Sequence, residues 1–137
     1  MSENLETLNK FVQILTEYHY VDKPYSASKY AFVSPFDTLR KTIFKCLSSG
    51  LDKEETIKLT LDHVIVDIER SRNFNLNKSD IEKIQNDILP FVEYIYNLSI
   101  RRGKSLAKVV EITNYLRDFI YVEVKKNKIS RLEQKRS

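Results

Sequence analysis

The stretch from residue 79 to residue 102 most constrains the fold, because its apolar residues occupy two neighbouring stripes of a helix. The first stripe consists of Ile81, Ile84, Ile88, Val92 and Ile95, and the second consists of Leu89, Tyr96 and Ile100. A helix with so wide an apolar face must pack on two sides, which predicts the central helix of a bundle. Pro90 lies inside it and removes a backbone donor, so we expect either a kink between residues 86 and 89 or two short helices.

Four further amphipathic segments predict an all-α fold, a single compact bundle of about five helices. They run from about residue 4 to 20, from 34 to 50, from 52 to about 72 and from 105 to about 126. We therefore expect a bundle domain over residues 1–126 and a basic C-terminal tail over residues 127–137. With two glycines and three prolines, the chain has little turn material for a sheet protein.

Residues that can cap a helix precede several of these segments. The expected caps are Ser34, Asp52, Ser79 and Ser105, and Gly50 is expected to end the second helix. The apolar spacing also predicts which side chains outside the central helix are buried. These are Leu5, Leu8, Phe11, Val12, Leu15, Tyr18, Phe36, Leu39, Ile43, Phe44, Leu47, Ile57, Leu61, Val64, Ile65, Ile68, Leu106, Val109, Val110, Thr113, Leu116, Phe119 and Ile120.

Residues 21–34 lose the helical periodicity and are expected to form an ordered loop. The loop and the residues just before it are rich in rings, namely Tyr18, Tyr20, Tyr25, Tyr30 and Phe32. These rings either pack the loop onto the bundle, stack on unpaired bases or fill a protein interface.

The residue types that carry catalysis are sparse. The two histidines are His19 and His63, and only His63 has an acid, Asp67, one turn away, so we expect a surface or boundary hydrogen bond for each. Cys46 falls in an apolar pattern and is expected to be an inert core thiol. Two glycines are too few for a glycine-rich phosphate loop. The sequence therefore predicts a protein that is not an enzyme and that holds no cofactor and no metal.

The positive charge is unevenly distributed. Residues 125–137 contain six Lys or Arg and one Glu, so this stretch carries +5 and the preceding 124 residues carry −1. Any affinity for a polyanion must then come from local groups, each of which is either a solvated face or a set of phosphate contacts. The groups are a corner with Arg101, Arg102, Lys104 and Lys108, a second-helix group with Arg40, Lys41 and Lys45, and a C-terminal group with Lys125, Lys126, Lys128 and Arg131.

The N-terminal residues are polar and acidic, which is not typical of a signal peptide. The most apolar run, residues 88–100, is too short for a bilayer and contains Glu93. We therefore expect a cytoplasmic protein with no membrane partner.

Two stretches resemble the C-terminal helical region of the large subunit of type I-D CRISPR effector complexes, which also serves as their separate small subunit. They are YAFVSPFDTLRKTIF from Tyr30 and FVEYIYNLSIRRGKSLAKVVEITNYLRDFIYVEV from Phe91. The resemblance implies a non-catalytic Cascade-type small subunit that associates with its own copies. It also implies contacts with the large subunit, the backbone subunits and the guide RNA complex, and with displaced single-stranded DNA in the R-loop. Sequence choice would then belong to the guide RNA.

Two alternatives stay open. LSSGLDKEE, from Leu47 to Glu55, is similar to helical modules that follow the catalytic domain of some plasmid and viral primases. This would be a DNA-binding role without guide RNA. The other alternative is a structural or inhibitory helical protein whose target is another protein.

Overall fold

The computed structural model describes residues 2–18, 34–72, 75–101 and 105–136, which form five α-helices and no β-strand. These are α1 (Ser2–Tyr18), α2 (Ser34–Ser48), α3 (Lys53–Arg72), α4 (Lys78–Ile100) and α5 (Leu106–Arg136). They pack into one bundle, which confirms the predicted all-α architecture. The expected loop over residues 21–34 lies outside the described residues apart from Ser34, and so do His19 and Tyr20. Among the described residues, no helix is both long enough and apolar enough to cross a bilayer.

Helix α4 is the centre of the bundle, as its wide apolar face predicts. It packs against α1, α2, α3 and α5. The side chains of Ile84, Ile88, Val92 and Ile95 are fully buried. The helix is continuous through Pro90, so the alternative of two short helices is wrong. Pro90 faces solvent, where water can satisfy the carbonyl that loses its helical partner.

The second apolar stripe of α4 was predicted only in part. Tyr96 is buried, but Leu89 is half-buried and Ile100 is 50% exposed at the end of the helix. Phe91 and Leu98 are buried instead. At about 100° per residue, Leu89 lies roughly 200° around the axis from Phe91. The core-facing surface of α4 therefore also includes the Phe91 side, which the sequence pattern did not predict.

Three phenylalanines from three helices meet at the centre of the core. The rings of Phe11 and Phe91 are stacked with centroids 4.7 Å apart, and Phe36 meets Phe11 edge-on at 6.3 Å. Phe36 also lies 6.0 Å from Phe91. Each such pair contributes about 0.5–1.5 kcal/mol beyond the burial of its surface. The cluster therefore fixes α1 and α2 against α4.

Two of the predicted N-caps are confirmed. Asp52 Oδ1 accepts a hydrogen bond from the backbone N–H of Glu55 at 2.9 Å, and Ser105 Oγ accepts one from Lys108 at 3.2 Å. Gly50 has a φ of +79°, which confirms it as the residue that ends α2.

The other two predicted caps are wrong. The cap of α4 is Asn77, whose Oδ1 accepts from the N–H of Asp80 at 2.7 Å, and the helix begins before Ser79. Ser34 is already the first residue of α2, and its hydroxyl donates to Asp67 Oδ2 at 2.9 Å. This bond ties the start of α2 to α3.

Helix α5 does not end near residue 126 as predicted, but continues to residue 136. Ile120 and Val124 are fully buried, and the helix beyond them contacts α1. The side-chain amide of Asn127 donates to Thr16 Oγ1 at 3.3 Å, and Lys128 Nζ donates to the carbonyl of Thr16 at 3.4 Å. The first ten residues of the expected tail are therefore a helical extension of α5, and the first two of them bond to α1.

Outside α4, three residues predicted to be buried are exposed. Leu5 is 55% exposed and Leu106 is 69% exposed, because both lie in the first turn of their helices. Val110, one turn after Leu106, is 36% exposed. In α3 the sequence pattern missed Thr56 and Thr60, which are fully buried. The hydroxyl of Thr60 donates to the backbone carbonyl of Thr56 at 2.7 Å, so it is satisfied within the helix.

Candidate nucleic-acid interface

The corner between α4 and α5 contributes two described cations. Arg101 is exposed immediately after α4, in an extended backbone conformation. Lys108 lies in the first turn of α5, and its Nζ is 3.6 Å from Glu111 Oε2, with 59% and 71% of the two side chains exposed. An ion pair this exposed is weak, so Lys108 can exchange Glu111 for another anion. Arg102 and Lys104, the other predicted members of this corner, lie outside the described residues.

Arg40 is not on the solvated side of α2, where the sequence placed it. Its side chain is 11% exposed, and its guanidinium donates to Asn114 Oδ1 and pairs with Asp37 at 3.3 Å. Burial lowers the pKa of Arg40, Asp37 raises it and Arg117 lowers it, with burial the largest effect. Arginine nevertheless keeps its charge in proteins. Arg40 therefore holds α2 against α5 and is already engaged within the fold.

Lys41 and Lys45 differ from Arg40 although they share its helix. Both are exposed, and they lie one turn apart on the same face of α2. In the part of the chain that the structure describes, neither forms an ion pair. The two ammonium groups are thus available to an external anion.

Both lysines line a groove between α2 and α3 with a volume of about 410 Å³. Leu59 and His63 form the α3 wall, and Cys46 is 6% exposed beneath it, which confirms the expected core thiol. The complete lining consists of Lys41, Thr42, Lys45, Cys46, Ser49, Leu51, Leu59 and His63. The groove therefore combines an apolar floor with two cations.

His63 lies at the end of this groove and also lines a neighbouring hollow of 380 Å³, together with Thr38, Val66, Asp67 and Arg70. Its Nδ1 is 3.3 Å from Thr42 Oγ1, which confirms the expected surface hydrogen bond for His63. The partner is Thr42, whereas Asp67 bonds to Ser34. The two hollows thus share His63 as a common lining residue.

The C-terminal cations are mostly engaged with their own helix or with α1. Lys125 Nζ donates to Tyr121 Oη at 3.2 Å and lies 5.5 Å from the centre of that ring. Lys126 pairs with Glu123 at 3.9 Å, and Lys128 bonds the backbone of α1. Arg131 is exposed. These residues therefore contribute to the packing of α5 as well as to its charge.

Within the described ranges, no three His, Cys, Asp or Glu side chains converge to hold a metal ion.

The spacing of Lys41 and Lys45 was visible in the sequence, but the groove that they line was not. Leu51 and Leu59 lie outside the predicted buried stripe of α3, so only the packing of α2 on α3 shows that they line a groove.

The groove and the corner thus provide two separate exposed cationic sites on a helical bundle. Comparison with known proteins assigns a function to neither site, because no family model, no curated protein and no solved structure matches this chain.

Proposed function

We propose that this chain is a non-catalytic subunit of an RNA-guided CRISPR effector complex. In this role it holds displaced single-stranded DNA in the R-loop and contacts the large subunit, the backbone subunits and its own copies. The observation that carries the DNA-binding part is the pair Lys41 and Lys45, which is exposed and forms no ion pair among the described residues.

Two uncompensated ammonium groups on one helix face are suited to successive phosphates of a strand. Phosphate contacts position a strand without reading its sequence, and this fits a complex in which guide RNA selects the target. Arg101 and Lys108 provide a second cationic site at the corner. Since the residues before 125 carry a net charge of −1, binding depends on these local sites rather than on global charge.

The resemblance to the type I-D large subunit supports the CRISPR assignment. Its second stretch, residues 91–124, covers the end of α4, the basic corner and most of α5. The order of an apolar helix, a basic corner and a further helix is the feature that resembles the family.

Purification of the tagged chain from its native host tests the assignment. Guide RNA and repeat-containing backbone proteins in stoichiometric amounts are the expected partners. Primase or helicase subunits would instead identify a replication module. A protein partner without nucleic acid would identify a structural or inhibitory protein.

The lysine pair is tested by the salt dependence of binding to single-stranded DNA. Lys41→Ala/Lys45→Ala should reduce the slope of log affinity against log salt by about 1.4, which corresponds to two lost phosphate contacts. Lys78→Ala/Lys83→Ala removes the same charge from exposed positions of α4 and is the matched control. Equal slopes for the two double variants would show that Lys41 and Lys45 do not contact DNA.

A further inference from the structure

We infer that the groove between α2 and α3 holds one base of the bound strand against His63 and Leu59, while Lys41 and Lys45 contact the adjacent phosphates. This inference rests on the proposed DNA-binding function and deepens it. A lysine pair alone would bind only the backbone, whereas the groove beneath these lysines gives an unpaired base a place to leave solvent.

The first argument is the composition of the two walls. Lys41 and Lys45 lie on α2, and His63 and Leu59 lie opposite them on α3, again one turn apart. An imidazole ring can stack on a base, and Leu59, which is 38% exposed, offers an aliphatic surface beside it. The volume of 410 Å³ falls within the range of sites that hold small organic molecules. Phosphate and base therefore each have a chemically matched wall.

The second argument is the position of the His63 ring. Its Nδ1 is 3.3 Å from Thr42 Oγ1, so a contact across the seam restrains the ring before any ligand binds. A restrained ring loses less rotamer freedom on binding than a mobile side chain. The nearby carboxylate of Asp67 accepts the hydroxyl of Ser34 and lies in the same hollow as Arg70, which offsets its repulsion of a phosphate.

The same surface has to be distinguished from a site for an acidic amphipathic peptide. Such a peptide would use the lysines and the apolar floor, but would gain little from the ring of His63. A single strand presents a charge and a flat ring in every nucleotide, and so uses all four residues. Because any base has a stacking face, the site should show little base preference.

The test compares a short fluorescent oligothymidylate with an abasic strand of the same length and phosphate number. The oligothymidylate is the probe, and it is titrated with the full chain at low ionic strength, where phosphate contacts are strongest. We expect the base-bearing strand to bind about five- to tenfold more tightly than the abasic strand, because stacking of a base on a side chain contributes a gain of this size. His63→Ala and Leu59→Ser should each reduce this difference, and His63→Phe should restore it by retaining a ring. Both positions are exposed, and circular dichroism verifies that each variant is folded.

The lysine variant separates this inference from the function on which it rests. Lys41→Ala/Lys45→Ala should weaken both strands by the same factor. If wild type binds the two strands equally while the lysine variant weakens both, the base site is refuted and the DNA-binding proposal stands. If neither strand binds, both proposals fail. If the lysine variant binds both strands like wild type, the groove does not contact the strand and the base site is refuted. Stronger displacement of the probe by a glutamate-rich amphipathic peptide than by unlabelled oligothymidylate would assign the groove to a protein.

Discussion

Arg40 shows how a charge that the sequence places on the surface can hold two helices together. Its guanidinium bonds Asn114 of α5 and pairs with Asp37 of its own helix, and only 11% of its side chain is exposed. Removing it takes a donor from Asn114 Oδ1 and leaves Asp37 with the more distant Arg117, at 3.9 Å, in a partly buried site. Arg40→Ala should therefore lower the free energy of unfolding by about 1.5–3 kcal/mol.

Urea unfolding followed by circular dichroism measures this loss. Lys41→Ala is the control, because it removes a neighbouring positive charge that is exposed, and its effect should stay within about 0.5 kcal/mol. Equal losses for the two variants would contradict a bridging role for Arg40.

At the scale of the element, α5 is the helix that departs most from its sequence pattern. Residues 127 and 128 bond Thr16, and Ile129 and Leu132 are half-buried. Ending the chain after Lys126 should lower the free energy of unfolding by about 1–3 kcal/mol, the sum of two hydrogen bonds at about 0.5–1.5 kcal/mol each. The loss should also increase amide hydrogen exchange in α1.

If residues 127–137 were an unattached tail, their removal would change neither the free energy of unfolding nor the hydrogen exchange in α1. A chain ending after residue 130 retains both bonds to Thr16 and is the matched control. If it loses as much stability as the shorter chain, the bonds to Thr16 are not responsible.

At the scale of the whole molecule, a variant of the corner between α4 and α5 tests whether the second cationic site contacts nucleic acid. Replacing Arg101, Arg102, Lys104 and Lys108 by alanine should flatten the salt slope for single-stranded DNA by up to about 3, at roughly 0.7 per contact. The loss should be independent of base sequence, since phosphate contacts carry no sequence information. The measurement belongs in the assembled complex, after size and stoichiometry show that assembly is intact. Unchanged affinity, slope and R-loop lifetime would assign the corner to solvent or to a protein contact.

The bundle was predictable because apolar spacing and caps are local features. The stripe through Ile84 and Ile88 identified the central helix, and Asp52 identified the start of α3. The features that the sequence did not predict depend on contacts between helices. Thr56 and Thr60 are fully buried although they are polar, and α5 extends because α1 supplies partners more than a hundred residues away. The lysine pair of the candidate site was likewise visible, whereas its groove required two helices in place.

The bonds between Thr16 and residues 127 and 128 also affect the order in which the chain can fold. They join positions 111 and 112 residues apart, so they raise the mean sequence separation of native contacts, which slows folding. During synthesis α1 emerges before the other described helices, yet the surface around Thr16 has no partner from α5 until about 110 further residues have been added. At about 5–20 residues per second, this leaves that surface uncovered for roughly 5–20 s. Of the five described helices, α1 is therefore made before the others and yet is among the last to complete its packing.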